Sequence, residues 1–225
     1  MIRLLATCIV FVTAGIAMSQ GAQDANARKV PLRAPIVGLP LTPYNLQRAF
    51  ADLAWATRTP IGFEALRDQP WSPAPVASSF DTAGRNVDDV LDEIVAREPR
   101  YGWSSEGGVI HVRPRESVFD PGDLLNLDIT GFEVDSMTLA QALREVRYAL
   151  EPGLRSGGWG SSGGSSPLLR RAFNVRRGPT NVQSVLDAIV SAHGAASWSV
   201  TYTGDGSDQR GHITFHTFDG FGVTN

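Results

Sequence analysis

A ten-residue sequence occurs twice in this chain, and this repeat constrains the fold more than any other feature. Residues 86–95, NVDDVLDEIV, return at residues 181–190 as NVQSVLDAIV, with seven of the ten positions identical. In each copy the apolar residues are spaced as i, i+3, i+4, i+7 and i+8, which predicts an amphipathic helix with one buried stripe. Asparagine opens both copies, as is typical of a helix N-cap. The expected core positions include Val87, Leu91, Ile94, Val182, Leu186 and Ile189.

The likeness extends on both sides of this helix. Trp103 and Trp198 keep the offset of 95 residues and lie in strand-like runs, each followed by a glycine turn and another strand. Large aromatic residues on such strands usually pack against helices, so we expect both to be core anchors. Upstream, residues 46–53 match residues 139–146 as a second repeated helix. The pattern predicts an α+β fold of two tandem β-α-β-β-α-β-β modules, each with two helices packed against small mixed sheets.

The repeat and the composition of the segments between its copies predict the organisation of the chain. A tract rich in glycine and serine interrupts the second copy and reads as a flexible loop. In order, we expect a signal peptide at 1–22, a disordered lead-in at 23–35, a first module at 36–115, a linker at 116–123, a second module at 124–218 that contains the glycine-serine loop 152–167, and a tail at 219–225.

The N-terminus has the pattern of a secretory signal peptide. A basic start ending at Arg3 precedes an apolar run over residues 4–17, and small or polar residues follow. The run is too short for a membrane span, so we expect cleavage after Ser19 or Ala22 and a periplasmic or secreted protein; an uncleaved anchor is the alternative. Cys8 is the only cysteine, so the mature chain would have no disulfide and no thiol nucleophile.

The charge balance bears on the class of partner. The chain has 20 basic and 23 acidic residues, for a formal net charge of −3. A nucleic-acid-binding protein usually carries a clear basic excess, because its affinity comes largely from phosphate contacts. Nucleic acid is therefore disfavoured, and no second apolar run approaches the ~20 residues of a membrane helix.

The two copies resemble a known bacterial domain. FDTAGRNVDDVLDEIVAREPRYGWSSEGGVIHVRP, at residues 80–114, resembles the short N-terminal domain shared by secretins and TonB-dependent transducers. Residues 172–202, AFNVRRGPTNVQSVLDAIVSAHGAASWSVTY, look like a looser version. The resemblance implies two helices held between small sheets and a role in binding another protein in the periplasm. Because the membrane-inserting regions of those families are not seen here, we expect a free-standing, non-enzymatic interaction protein.

Catalytic and metal-binding patterns are weak. Residues 160–164, GSSGG, fit the G-x-S-x-G string of serine hydrolases, but they lie in low-complexity sequence. A hydrolase using Ser162 is therefore only a second alternative. His212 and His216 lie on a predicted strand, where a separation of four residues is ~13 Å and too long for a shared metal. We expect no metal site and no cofactor.

Candidate partner-binding residues lie mainly on the loops. Exposed aromatic and arginine side chains are typical of interfaces, and the same residues would also suit a cell-wall glycan or a small ligand, which is the first alternative function. Pairing at an exposed strand edge or docking on a sheet face is the expected binding mode. Asp92 and Asp187 recur in both copies, and we expect each to form a local cap or an arginine pair. The candidates are Trp71, Trp159, Arg170, Arg171, Arg176 and Arg177.

Overall fold

A computed structural model describes residues 39–41, 46–67, 78–80, 85–150, 160–161, 166–204, 210–219 and 222–224. Within these ranges, the α-helices are α1 (Leu46–Thr57), α2 (Val87–Arg97), α3 (Leu139–Leu150) and α4 (Val182–His193). The strands are β1 (Leu39–Leu41), β2 (Ile61–Glu64), β3 (Ser78–Phe80), β4 (Tyr101–Glu106), β5 (Val109–Pro114), β6 (Asp128–Ile129), β7 (Phe132–Met137), β8 (Gly160–Ser161), β9 (Phe173–Arg177), β10 (Thr180–Asn181), β11 (Ala196–Thr203), β12 (Arg210–Thr217) and β13 (Gly222–Thr224).

The α+β class is confirmed, and the repeat is visible in the order of elements. The first copy runs β1-α1-β2-β3-α2-β4-β5, and the second places α3 and α4 at the matching points. Antiparallel pairs β1-β3 and β7-β9 form a small sheet in each copy. Asn181 caps α4 by accepting a hydrogen bond from the Ser184 amide at 2.9 Å. Gly194 ends that helix in the left-handed region, at φ 71°.

The main sheet joins the two repeats. Its strand order is β4-β5-β2-β11-β12-β13-β8, so one continuous sheet of seven strands spans both copies. The junction is strand β2, which pairs in parallel with β5 on one side and with β11 on the other. The sequence repeat predicts similar halves, but it does not predict that a short strand of the first half completes the sheet of the second.

The second repeat is turned over relative to the first. Strands β5, β2 and β11 run in one direction, whereas β4 and β12 run in the opposite direction. Across the sheet, both hairpins place their first strand before their second, as β4-β5 and β11-β12. The corresponding strands, β4 and β11, nevertheless run in opposite directions. Phe63 packs in the core cluster of α1 and α2, whereas Trp198 packs in the cluster of α3 and α4. The two helix pairs thus cover opposite faces of the sheet.

The hydrophobic interior forms two clusters, one for each pair of helices. Two residues cross between them, since Val109 packs in the second cluster and Phe218 in the first. Trp103 differs from the expected core anchor, because it is only partly buried at the margin of the first cluster. The other predicted core positions are all buried, namely Val87, Leu91, Ile94, Val182, Leu186, Ile189 and Trp198.

Two segments differ from the sequence predictions, the linker and the tail. The expected linker at 116–123 is packed onto the sheet, and its Asp123 is fully buried. After it, the second copy begins with a short 3-10 helix, Leu124–Asn126, followed by β6 and β7. The expected tail contains β13, which pairs with β12 and β8. Among the described residues, no helix combines the length and apolar character needed to cross a membrane.

Candidate functional site

The strand at one end of the seven-stranded sheet carries an exposed polar pair. Strand β4 pairs with β5 on one side, and within the described residues no strand pairs with its other side, which we call the open edge. The Trp103 indole nitrogen donates a hydrogen bond to Asp92 Oδ1 on α2 at 2.9 Å. The carboxylate therefore holds the indole ring in place beside the open edge.

The second repeat contains the same pair in a covered state. The Trp198 indole nitrogen donates to Asp187 Oδ1 on α4 at 2.9 Å, the distance found in the first repeat. The other carboxylate oxygen, Asp187 Oδ2, lies 2.9 Å from His111 Nε2 on β5. Trp198 is fully buried, whereas Trp103 is partly exposed. Trp198 is covered by β2, the strand of the first repeat that pairs with β11.

A glycine makes that cover possible. Gly62 on β2 lies opposite Trp198 in the parallel register. A Cβ atom built on Gly62 would lie 2.1 Å from Trp198 Cζ2, far closer than any real contact. Only a residue without a side chain lets the indole ring lie across this strand. The spacing of 11 residues between the aspartate and the tryptophan is present in both copies of the sequence, and it could have indicated these hydrogen bonds.

A cavity opens beside β4 on the face opposite to Asp92. Its volume is about 400 Å³, and Ser104, His111 and Arg113 form part of its sheet wall. Val118 and Phe119, from the segment expected to be a linker, line its other side with exposed fractions of 42% and 89%. An aromatic side chain exposed to this extent next to a sheet edge is an unusual placement and is typical of a contact surface.

A buried ionic cluster lies behind this cavity. Arg113 donates to Glu64 Oε2 at 2.8 Å through Nε and to Asp123 Oδ1 at 3.0 Å through one terminal nitrogen. Arg67 donates to the other oxygen of Asp123 at 2.7 Å. The Tyr202 hydroxyl of the second repeat donates to Glu64 Oε1 at 2.8 Å. This cluster ties β2, β5, the expected linker and β11 together at the junction.

Burial and contacts within the cluster shift the pKa values of Glu64 and Tyr202. Burial raises the pKa of Glu64 to about 7, and the nearby Asp123 carboxylate acts in the same direction against the opposing effect of Arg113. Burial and Glu64 also raise the pKa of Tyr202. The two carboxylates are fully enclosed, with Glu64 and Asp123 at 0% exposure. The arrangement is therefore a structural junction between the two repeats.

One serine-histidine pair has the distance of a nucleophile and its base. Ser199 Oγ lies 2.9 Å from His216 Nε2, and the Gln47 side chain on α1 donates to Ser199 at 2.8 Å. Ser199 is only 2% exposed, and burial lowers the pKa of His216 to about 4. A hydroxyl covered by α1 cannot reach a substrate, so this pair gives no support to a hydrolase.

Four of the predicted partner-binding residues, all arginines, lie in the part of the chain that the structure describes. Arg176 on β9 forms an exposed ion pair with Glu133 on β7, with a distance of 3.0 Å from Nε to Oε1. Arg177 is exposed on the same strand, and Arg170 and Arg171 are exposed near the short 3-10 helix Leu168–Arg170. Trp71, Trp159 and Ser162 lie outside the described residues.

Asp92 and Asp187 correct one expectation. Each was expected to form a cap or to pair with an arginine, but their carboxylates instead accept from tryptophan indoles. Within the described part of the chain, no group of three or more His, Cys, Asp or Glu side chains could hold a metal ion.

Comparison of the chain with protein-family models, curated proteins and solved structures gives no match. The open edge and the cavity beside it are therefore the features of the chain that indicate a function.

Proposed function

We propose that this chain is an exported, non-enzymatic protein-interaction module that binds a partner protein of the cell envelope at the open edge of β4. The observation that carries the proposal is the pair of matched strands. Strand β11 holds its tryptophan-aspartate pair under a paired strand, whereas β4 presents the same pair with no strand beside it in the described residues. An unpaired strand edge offers backbone hydrogen bonds to an incoming strand.

The surroundings of β4 support the same function. Ser104, Ser105 and Glu106 are exposed along the strand, and Phe119 stands beside it. Natural proteins usually protect long, exposed edges with charge, proline or a covering segment, and β4 carries only one charged side chain. The resemblance of both repeats to the short N-terminal domain of secretins and transducers agrees with a binding role, and the apolar N-terminal run agrees with export to the periplasm.

Site-specific crosslinking in cells tests the binding role. A photo-crosslinking amino acid at Ser105, on the open edge, should capture a discrete envelope protein whose crosslinked residue maps to an extended segment. The same amino acid at Ala149, which is exposed on α3, is the matched control and should not capture that protein. Equal capture from both positions, or none from Ser105, would contradict the proposal.

The mass of the mature chain tests whether the protein is exported. Intact-mass analysis of the protein from a periplasmic fraction should give a mature chain that begins at Gln20 or Gln23, because cleavage is expected after Ser19 or Ala22. A full-length chain recovered only from the cytoplasm would disprove export while leaving the open edge to be tested separately.

A further inference from the structure

The covered strand β11 shows which kind of strand fits a tryptophan-aspartate edge. The partner strand β2 runs parallel to β11, with Gly62 opposite Trp198. The indole ring lies across the glycine, where a Cβ atom would meet ring carbon atoms at 2.1–2.7 Å. The edge therefore selects its strand through two features, the parallel direction and a glycine opposite the tryptophan.

We propose that the partner segment at the open edge is a strand with an apolar-glycine-apolar sequence, running parallel to β4 with its glycine opposite Trp103. This inference rests on the proposed function and specifies its ligand. The support is positional, because Trp103 and Trp198 occupy equivalent places on β4 and β11. Each also donates to an equivalent aspartate at the same distance of 2.9 Å.

The apolar flanks follow from the alternation of side chains along a strand. On β2, Ile61 and Phe63 point away from Trp198 and pack in the first core cluster. On a strand beside β4, the residues flanking the glycine would point to the face of Ser104, where the cavity opens. Phe119 and Val118 line that cavity and are exposed, so apolar flanking residues would cover them.

Two strands of a second copy that come into question, β2 and β8, do not suit this edge. Strand β2 is already paired on both sides, and the strand at the far end of the sheet, β8, has only two residues against four in β2. Two residues give too few backbone hydrogen bonds to replace the β2 contact. We therefore take the occupant to be a segment of a different protein, and sedimentation of the free protein tests the alternative of a second copy.

A peptide with the sequence of residues 59–66, TPIGFEAL, is the probe, because it contains β2, the strand that fills the equivalent edge of β11. Titration into the isotope-labelled full chain, followed by NMR, should shift the β4 amides and the Trp103 indole N–H with saturation. The Trp198 indole N–H is the internal control and should not move. A peptide in which the glycine is replaced by valine should bind about tenfold or more weakly, because the added side chain would clash with the ring.

The variant Trp103→Ala tests the source of that preference. Because Trp103 is only partly buried, its removal should leave the protein folded, and circular dichroism checks this. The two peptides should then bind with nearly equal affinity. The inference is overturned if neither peptide produces saturable shifts at β4, if wild-type protein does not distinguish the peptides, or if Trp198 shifts because the peptide displaces β2.

Sedimentation of the free protein adds a further check, since a concentration-dependent dimer that buries β4 would also overturn the inference. The failure of this proposal can be told apart from failure of the proposed function. Crosslinking from Ser105 to an envelope protein, together with an absence of peptide binding, would keep the function and reject the glycine rule. Peptide binding without any crosslinked partner would keep the glycine rule for the open edge and reject the proposed function.

Discussion

Asp187 and Trp198 form the same side-chain hydrogen bond as their counterparts 95 residues earlier, but in a different environment. Both indole-to-carboxylate distances are 2.9 Å, and among the strands that the structure describes only the pair in the second repeat is covered by a neighbouring one. The second pair also contacts His111 through Asp187 Oδ2. The same tryptophan-aspartate hydrogen bond thus occurs in both repeats. The pair in the second repeat lies where the two halves of the sheet join, and the pair in the first repeat lies at the open edge.

Removing the two aspartates should therefore have unequal effects. Asp187→Ala leaves the buried Trp198 indole N–H without an acceptor, and we expect a loss of about 1–3 kcal/mol in the free energy of unfolding. Asp92→Ala removes an exposed hydrogen bond, and the loss should stay within about 0.5 kcal/mol. Chemical denaturation of both variants measures the difference. Equal losses would show that Trp103 and Trp198 are held in similar surroundings.

Gly62 should not tolerate a side chain. Gly62→Ala places a methyl group against the Trp198 ring, and overpacking of this kind typically costs about 1–3 kcal/mol or more. Gly178→Ala is the matched control, because a Cβ atom there would meet nothing within 4 Å. Thermal unfolding should show a clear drop for the first variant and almost none for the second.

A double variant identifies the clash as the cause. Trp198→Leu removes the ring that occupies the space above Gly62, so adding Gly62→Ala to it should cost much less than in the wild-type protein. If the two losses simply add, the effect of the alanine comes from the backbone of β2 and not from the tryptophan.

The helices and their buried stripes could be predicted because their burial is periodic. The spacing of Val87, Leu91 and Ile94 is visible in the sequence, and all three are buried as expected. Residues 181–190 repeat this spacing, so the same prediction applies to α4. The helices α2 and α4 are predicted correctly, because a helix that packs on one side only has apolar residues at a regular spacing in the sequence.

The junction could not be predicted, because long-range pairing leaves no local pattern. Strand β2 has four residues, including a glycine and a glutamate, and nothing in it indicates pairing with a strand more than a hundred residues later. Asp123 lies in the segment predicted to be a linker, but it is fully buried and accepts hydrogen bonds from Arg67 and Arg113. Trp103 looked like its counterpart Trp198, and only the sheet order shows that one is covered and the other is at an edge.

Arg113 should be the most sensitive charged residue of the junction. It is 6% exposed and contacts both Glu64 and Asp123, so Arg113→Met would leave buried carboxylates without their main cation. Breaking a buried pair in this way typically costs about 3–5 kcal/mol. Arg176→Ala, which breaks an exposed pair with Glu133, is the control and should leave the unfolding midpoint nearly unchanged. A small loss for Arg113→Met would mean that water enters the cluster.

The stability of the protein should depend on pH through two opposing groups, one in the junction and one beneath α1. The folded-state pKa of Glu64 is raised to about 7 from 4.5, because burial and Asp123 outweigh Arg113. Its contribution to stability is therefore complete below pH 4.5 and is lost as the pH rises through 7. The pKa of His216, lowered to about 4 by burial and Arg48, has the opposite consequence: its contribution is complete above pH 6.5 and is lost as the pH falls through 4.

The two contributions overlap between about pH 4.5 and 6.5 and partly cancel in the wild-type protein, so single variants are needed to separate them. Glu64→Gln should remove the decline, so that its stability rises with pH across this window. His216→Gln should remove the rise, so that its stability falls with pH across the same window. Each shift corresponds to about 3 kcal/mol. Denaturant unfolding at intervals of pH measures both slopes. Parallel profiles for the two variants would show that neither group titrates inside the fold, because the predicted slopes have opposite signs.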